Sequence, residues 1–354
     1  MTDRYAVDDL LNFAATLFEN AGLSRERASV MAEVFVEADL LGFTTHGMNR
    51  IASNLGWLEK GETRREGEHH VLNDRANTFN WDADFLPGPW VLTQALDEAM
   101  ARVAERGLVA ATIRRSQHIG SAAAYCPKIV EAGYAALITC STPSENTVSA
   151  YGGIDPVFSA NPIAFAAPAD DYPLLFDISM SVTAGGYVAR AAREGRKLPE
   201  PCLKSNTGEI SDDPAAFFSD PPGSILPIGG TGHGHKGYAL CLMTEALSMA
   251  LGGYGRADSR SAGDGEANSI YLQIIDPEAF GSLADFKREI AAVRDLCETS
   301  RVREGDDRVR VPGRNAWRRR DEQRREGVAL YPTIMDDLAP WAKKLSVKPP
   351  EPLT

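Results

Sequence analysis

The chain has 354 residues, 44% hydrophobic and 24% charged, a length that suits about two domains of roughly 150 residues each and a composition that excludes a disordered chain. Its 37 basic and 49 acidic residues leave a net charge of −12, which repels a phosphate backbone or an anionic membrane at long range and argues against nucleic acid as a partner. The longest apolar stretch, 237–253, carries Thr244 and Glu245 and is too short and too polar for a bilayer span of about 20 residues.

The opening MTDRYAVDD is acidic where a secretory signal is basic and then apolar, which predicts a cytoplasmic address. Cys126, Cys140, Cys202, Cys241 and Cys297 form no CxxC pair; they read as thiols, mostly buried, in a reducing compartment.

In chain order, Val7, Leu10, Leu11, Ala14, Leu17 and Phe18 recur at three and four, an amphipathic helix stopped by Gly22. Ser24 is the expected N-cap of a second helix, buried along Ala28, Met31, Phe35 and Ala38 and ended by Gly42. An amphipathic turn through Leu55 and Leu58 completes a helical opening of about seventy residues. From Thr78 the pattern becomes α/β: a strand at TFNWDAD, a helix along Val91, Leu92, Ala95, Leu96, Ala99, Met100 and Val103 ending at Gly107, and a strand at 108–114. A helix over 121–132, strands at 135–140, 163–168 and 173–179, and a helix over 181–194 follow. The Pro/Gly/Ser/Asp-rich stretch 195–234 reads as ordered loop. Lys236 and Gly237 open a helix apolar nearly all round, which predicts burial and requires a partner for Glu245. A polar loop at 256–268, a strand at 269–274, a helix over 283–297, a solvated salt-bridged helix at 318–326 and a mobile tail KPPEPLT close the chain.

No GxGxxG stands between a strand and a helix, and GGTGHGHKG at 229–237 departs from the P-loop because His235 separates Gly234 from Lys236 and no Ser or Thr follows. A glycine loop opening a helix with a lysine still offers amide donors and a positive charge; phosphate binding and a plain tight turn both fit it. His46 and His118 stand in loops where elements end, and His118 follows a strand, where a group that titrates near neutrality can exchange a proton with an alcohol or carbonyl. A satisfied structural histidine is the alternative at both. Arg50, four residues past His46, can face the same side and fork a substrate carboxylate, or form a surface salt bridge. His69 and His70 lie in a polar link and read as solvated. His233 and His235 could join His118 or Asp177 around a metal, although HxH alone is a weak pattern.

LGFTTHGMNRI, RRSQHIG, the segment 152–168 ending in NPIAFAAP, FDISMS, HKGYALCLMTEALSMALGG and VPGRNAWRRR resemble, in this order and over nearly the whole chain, the malate/L-lactate dehydrogenase family. The resemblance implies oxidation of a 2-hydroxy acid, or reduction of a 2-oxo or cyclic 2-imino acid, with NAD or NADP on a non-Rossmann fold, which accounts for the missing fingerprint. Carried over by motif, His118 is the general acid/base, with Thr45 and His46 beside it and Arg50 on the carboxylate. The cofactor then lies along Asp177, Ile178, Ser179, Lys236, Pro312, Gly313 and Arg314, with no metal, in an intertwined homodimer. The expected fold is mixed α/β: a helical domain of 1–75 with 285–354, packed against an α/β cofactor-binding domain of 76–284 with a mixed sheet. The chain departs from the family pattern with Thr45 for Ser, Asn54 for Tyr, Gln117 for Asn, Arg314 for Glu, and an insertion-like TGHG before His235. A metal-dependent hydrolase built on His118, His233, His235 and Asp177, and a turnover-free homologue that binds a small acid or nucleotide, are the readings from other classes.

Overall fold

The computed structural model describes residues 3–257 and 266–353. Strand β1 (Arg4–Tyr5) leads into α1 (Val7–Asn20), α2 (Arg25–Leu41), a 3₁₀ turn at Met48–Arg50 and α3 (Ile51–Lys60). The helix signals act as expected: Leu10, Ala14, Leu17 and Phe18 are buried, the Ser24 hydroxyl accepts the Arg27 N–H, and Gly42 caps α2 at φ 93°.

The α/β part begins with β2 (His70–Arg75) and β3 (Thr78–Asp82), then α4 (Gly88–Arg106), β4 (Leu108–Ser116), a 3₁₀ turn at Ala122–Tyr125 and α5 (Cys126–Glu131). Next come β5 (Ala135–Ser141), β6 (Val148–Ser149), β7 (Pro156–Phe158), β8 (Ile163–Ala167), β9 (Leu174–Ile178) and α6 (Gly185–Arg193). Three short strands follow, β10 (Leu203–Lys204), β11 (Ile210–Ser211) and β12 (Ser224–Ile225), then α7 (Gly230–Glu245), which continues into a π-helical turn at Ala246–Ala250. The chain closes with β13 (Asn268–Ile275), α8 (Leu283–Glu298), α9 (Arg314–Glu326), β14 (Val328–Ala329) and α10 (Thr333–Lys344).

A seven-stranded sheet in the order β2-β3-β4-β13-β5-β8-β9 forms the centre. Only β3 and β4 run parallel; every other neighbouring pair is antiparallel, so the sheet is mixed. Val109, Ala111 and Ile113 of β4 and Ile270, Leu272 and Ile274 of β13 alternate into one core under α4. A second core joins α1, α2 and α3 to Val328, Leu330, Ile334 and Leu338 near the other end of the chain, and β1 pairs antiparallel with β14.

Several expectations are corrected. The stretch 195–234 is not plain loop: β10, β11 and β12 join β6 and β7 in a second, five-stranded sheet, too short-stranded for a period-2 pattern to reveal. The helix expected at Lys236 starts at Gly230, across a kink at His233. It is not buried all round: Gly234, Gly237, Cys241 and Thr244 face the protein, while Leu240, Leu242, Met243 and Leu251 are exposed. Small residues point inward and large apolar ones outward, a division that hydrophobicity alone does not encode. His70 begins strand β2, and His69 stacks on Trp81 at 3.7 Å between ring centroids instead of lying free in a link. The helix over 121–132 splits into a 3₁₀ turn and α5, and that over 181–194 begins only at Gly185. Helix α9 is not simply solvated: Arg320 is buried and ion-paired to Glu37 and Glu131, and Gln323 donates to the carbonyls of Asp39 and Leu40. The tail is tethered, with the Leu353 N–H donating to the Arg4 carbonyl at 2.7 Å. Most of the polar loop read at 256–268 lies outside the described residues. Among the described residues, no helix is long and apolar enough to cross a membrane.

Candidate active site

The segment after α2 is shaped by a buried carboxylate. Asp39 Oδ2 accepts the Met48 N–H at 2.6 Å, which folds residues 43–48 back over the end of α2. Burial pushes the Asp39 carboxyl up to about 7, against the lowering effect of that hydrogen bond. Gly47 makes the fold-back possible, because a Cβ there would stand 2.3 Å from Asp39 Oδ2. The turn projects Thr45 and His46, joined Oγ1 to Nδ1 at 2.8 Å, and Arg50 at the head of α3, where Asn54 Nδ2 donates to the Arg50 carbonyl.

His118 arrives from the end of β4. Asp82 on β3 accepts from Arg114 and Arg115, Gln117 Nε2 donates to the Glu62 carbonyl, and the head of α4 presses on the 117–118 backbone. At Gly88, a Cβ would meet the Gln117 carbonyl oxygen at 2.1 Å and that of His118 at 2.6 Å; only glycine permits this approach. The Gly120 N–H donates to His118 Nδ1 at 3.0 Å. A nitrogen that accepts carries no proton, so the neutral ring holds its hydrogen on Nε2.

These two segments bring His118, His46, Thr45 and Arg50 together. The rings of His46 and His118 lie 5.6 Å apart and 14° from parallel; Trp57 flanks His118 at 6.3 Å and the Arg50 guanidinium at 5.6 Å. Burial, with Arg50 and His46 adding repulsion, holds His118 well below the usual imidazole range. Burial and Arg50 lower His46 to about 4. Arg50 Nη2 lies 2.7 and 2.8 Å from the two carboxylate oxygens of Glu266, and His118 Nε2 is 3.7 Å from Glu266 Oε2. Arg50 Nε is buried without a hydrogen-bond partner among the described residues.

A second charged layer stands behind. Glu245, the half-buried acid in α7, accepts from Ser141 at 2.7 Å and Asn161 at 2.9 Å and pairs with Arg256 at 3.1 Å, which supplies its required partner. Burial, reinforced by Glu266 and opposed by Arg50 and Arg256, raises Glu145 to about 7.

The residues expected to hold a cofactor follow edge strand β9. Asp177 turns its carboxylate to Ser121 Oγ at 2.7 Å and the Ala123 N–H at 3.0 Å, capping the turn after His118; burial raises its pKa despite those bonds. Ile178 is exposed, and Ser179 joins Ser181 at 2.9 Å. Backbone bonds then link Met180 to Ile228, and Ile228 to Gly237, so the head of α7 with exposed Lys236 abuts the far end of β9. The Pro312–Gly313 turn lies at the near end, where a Cβ on Gly313 would meet the Pro173 carbonyl oxygen at 2.2 Å. Arg314 pairs with Glu298 at 2.9 Å. His233 and His235 lie 6.2 Å apart, with Tyr151 beside His235. Among the described residues no three His, Cys, Asp or Glu side chains gather as a metal site, so the grouping a metal hydrolase needs from His118, His233, His235 and Asp177 does not form.

Sequence reading missed Glu266, Glu145, Trp57 and Asp39. Trp57 was accessible in principle, two helical turns beyond Arg50 on one face; Glu266 sits in a polar loop with no pattern to single it out.

A family model described as malate/L-lactate dehydrogenase matches residues 5–339. The malate dehydrogenase of Pyrococcus horikoshii is 27% identical over 350 residues, covering 98% of this chain and 96% of that protein. The L-sulfolactate dehydrogenase of Methanocaldococcus jannaschii is 30% identical over 312 residues, 85% of this chain and 86% of that protein. The fold matches a crystal structure of malate dehydrogenase from Entamoeba histolytica with a TM-score of 0.92, at 20% identity, over 98% of this chain and 99% of that one. This chain therefore belongs to the malate/L-lactate dehydrogenase family.

Proposed function

We propose that the chain is an oxidoreductase that transfers a hydride between NAD or NADP and C2 of a small 2-hydroxy or 2-oxo acid. One observation carries the reading: a single carboxylate, that of Glu266, lies on the Arg50 guanidinium and within 3.7 Å of His118 Nε2. A substrate carboxylate on that fork has its C2 oxygen, two bonds beyond the carboxyl carbon, beside the imidazole.

Arg50, with Nε still unpartnered, binds and orients the carboxylate. In reduction, His118 protonated on both ring nitrogens gives its Nε2 proton to the oxygen on which negative charge develops and is left neutral, with its remaining proton on Nδ1. In oxidation the proton leaves that oxygen for Nε2; the ring then carries its other proton on Nδ1, and the Gly120 N–H must find a new acceptor. Thr45 and His46 wall the pocket next to the ring, and Trp57 shields it from water.

The residues present fit a dinucleotide. A Cβ at Gly185 or Gly232 would meet nothing within 4 Å, so the heads of α6 and α7 offer bare backbone amides to open space, and Lys236 makes no ion pair among the described residues. Such helix heads suit a pyrophosphate. Asp177, Ile178, Ser179, Lys236, Pro312, Gly313 and Arg314 would hold the cofactor along β9, where it supplies or accepts the hydride. The exposed apolar face of α7, with Leu240 38% and Leu242 47% accessible, supports a homodimer in which this face is covered.

The test is absorbance of reduced nicotinamide during incubation of pure protein with 2-oxo acids and cyclic imino acids, using NADH and NADPH separately. Oxidation with a 2-oxo acid supports the reading. Cofactor binding without turnover on any substrate refutes it.

A further inference from the structure

Glu266 is placed where a substrate carboxylate belongs. Both of its oxygens reach Arg50 Nη2, at 2.7 and 2.8 Å, and one faces His118 Nε2 at 3.7 Å. Its side chain is 31% exposed and that of Arg50 21%, so the pair sits at the pocket wall and not in a sealed core. Nearby charges do not compensate a further anion. Arg256 is engaged by Glu245 at 3.1 Å and by Asn146 at 2.7 Å; burial, with the Glu266 charge adding to it, disfavours the charge of Glu145; and the two histidines are neutral. Arg50 is thus the only cation near His118 and Glu266, among the described residues, that a ligand can take over, and it carries a carboxylate already.

We propose that Glu266 sets the charge of the substrate: it occupies the Arg50 fork until a substrate carboxylate displaces it, and once displaced it remains as a negative wall. The pocket then admits a monocarboxylate whose remainder is neutral or cationic and turns away a dianion. This rests on the reading of Arg50 as the carboxylate clamp. Like charges forced together without counter-ions are a strong device of discrimination, and displacement of Glu266 weakens every carboxylate equally, so the two effects separate experimentally.

The test uses two probes of nearly equal size and shape, oxamate, a monoanion, and oxalate, a dianion. Both are titrated calorimetrically into the full-length protein, with and without saturating reduced dinucleotide, for wild type, Glu266→Gln and Arg50→Met. Wild type is expected to bind oxamate more tightly than oxalate. In Glu266→Gln both affinities rise, oxalate the more, so that the ratio falls by about tenfold, the scale of one charge-assisted interaction. An unchanged ratio in Glu266→Gln overturns the charge selection, and unchanged or weaker oxamate binding overturns the displacement. Arg50→Met separates this from the functional reading: if it binds oxamate as wild type does, or if wild type binds neither probe, Arg50 is not the clamp and both fail. Loss of oxamate in Arg50→Met with no change in Glu266→Gln removes this inference alone.

Discussion

His46 and His118 lie ring over ring, 5.6 Å between centroids and 14° from parallel, one delivered by the turn after α2 and the other by the end of β4. A standing imidazolium is disfavoured at either ring outside the proton-transfer step: burial and Arg50 act on both, and His46 adds repulsion at His118. The pair is therefore kept neutral over the range in which a free histidine titrates.

The first consequence is acid sensitivity. His46 stays neutral in the folded chain down to about pH 4, whereas in the unfolded chain it takes up a proton near its ordinary value of about 6.5. Its contribution to stability is complete above about pH 6.5 and is lost as pH falls towards 4, on the order of 2 kcal/mol by about pH 5. Urea unfolding at about pH 7 and about pH 5 should show a smaller drop for His46→Gln than for wild type. Equal drops would contradict the assignment.

Removing the proton-handling ring tests the chemistry. His118→Ala should fold, with an unchanged far-ultraviolet circular dichroism spectrum, and lose about 10² to 10⁴ in kcat, the scale of a positioned acid/base. Turnover near the wild-type value would show that another group exchanges the proton.

Loss of the guanidinium fork should act mainly on binding. Arg50→Lys keeps the charge but not the bidentate geometry, and we expect KM for a 2-oxo acid to rise by about 10-fold or more with a smaller change in kcat. A change confined to kcat would place Arg50 elsewhere in the mechanism.

A single methyl group should disturb the site from the sheet side. In Gly88→Ala the new Cβ starts 2.1 Å from the Gln117 carbonyl oxygen, so the backbone that carries His118 must move. The expected cost is about 1–3 kcal/mol or more, seen as a lowered Tm together with a reduced kcat/KM. A variant with wild-type Tm would show that the α4 head is not held against residues 117 and 118.

The outer face of α7 predicts self-association. Leu242→Asp, on a side chain 47% exposed in the single chain, should shift the sedimentation of the protein from dimer to monomer. A variant that sediments as wild type does would locate any dimer contact elsewhere.

Much of the molecule was legible in the sequence because its signals are local. The stripes of α1 and α4, the Ser24 cap, the glycine stops and the apolar runs of β4, β5 and β13 depend on residues within a turn or a strand of one another. Six ordered motifs likewise pointed to the family and to Thr45, His46, Arg50 and His118, and the lone acid in α7 announced that Glu245 needed partners. Only the tertiary structure decided the rest. It placed Glu266 on Arg50 across more than two hundred residues, turned Asp177 towards Ser121, tied Arg314 to Glu298 and left the large apolar side chains of α7 facing outward. Those outcomes depend on which charged and apolar surfaces meet once the sheet is closed. A one-dimensional pattern records what a side chain is, and leaves open what stands opposite it.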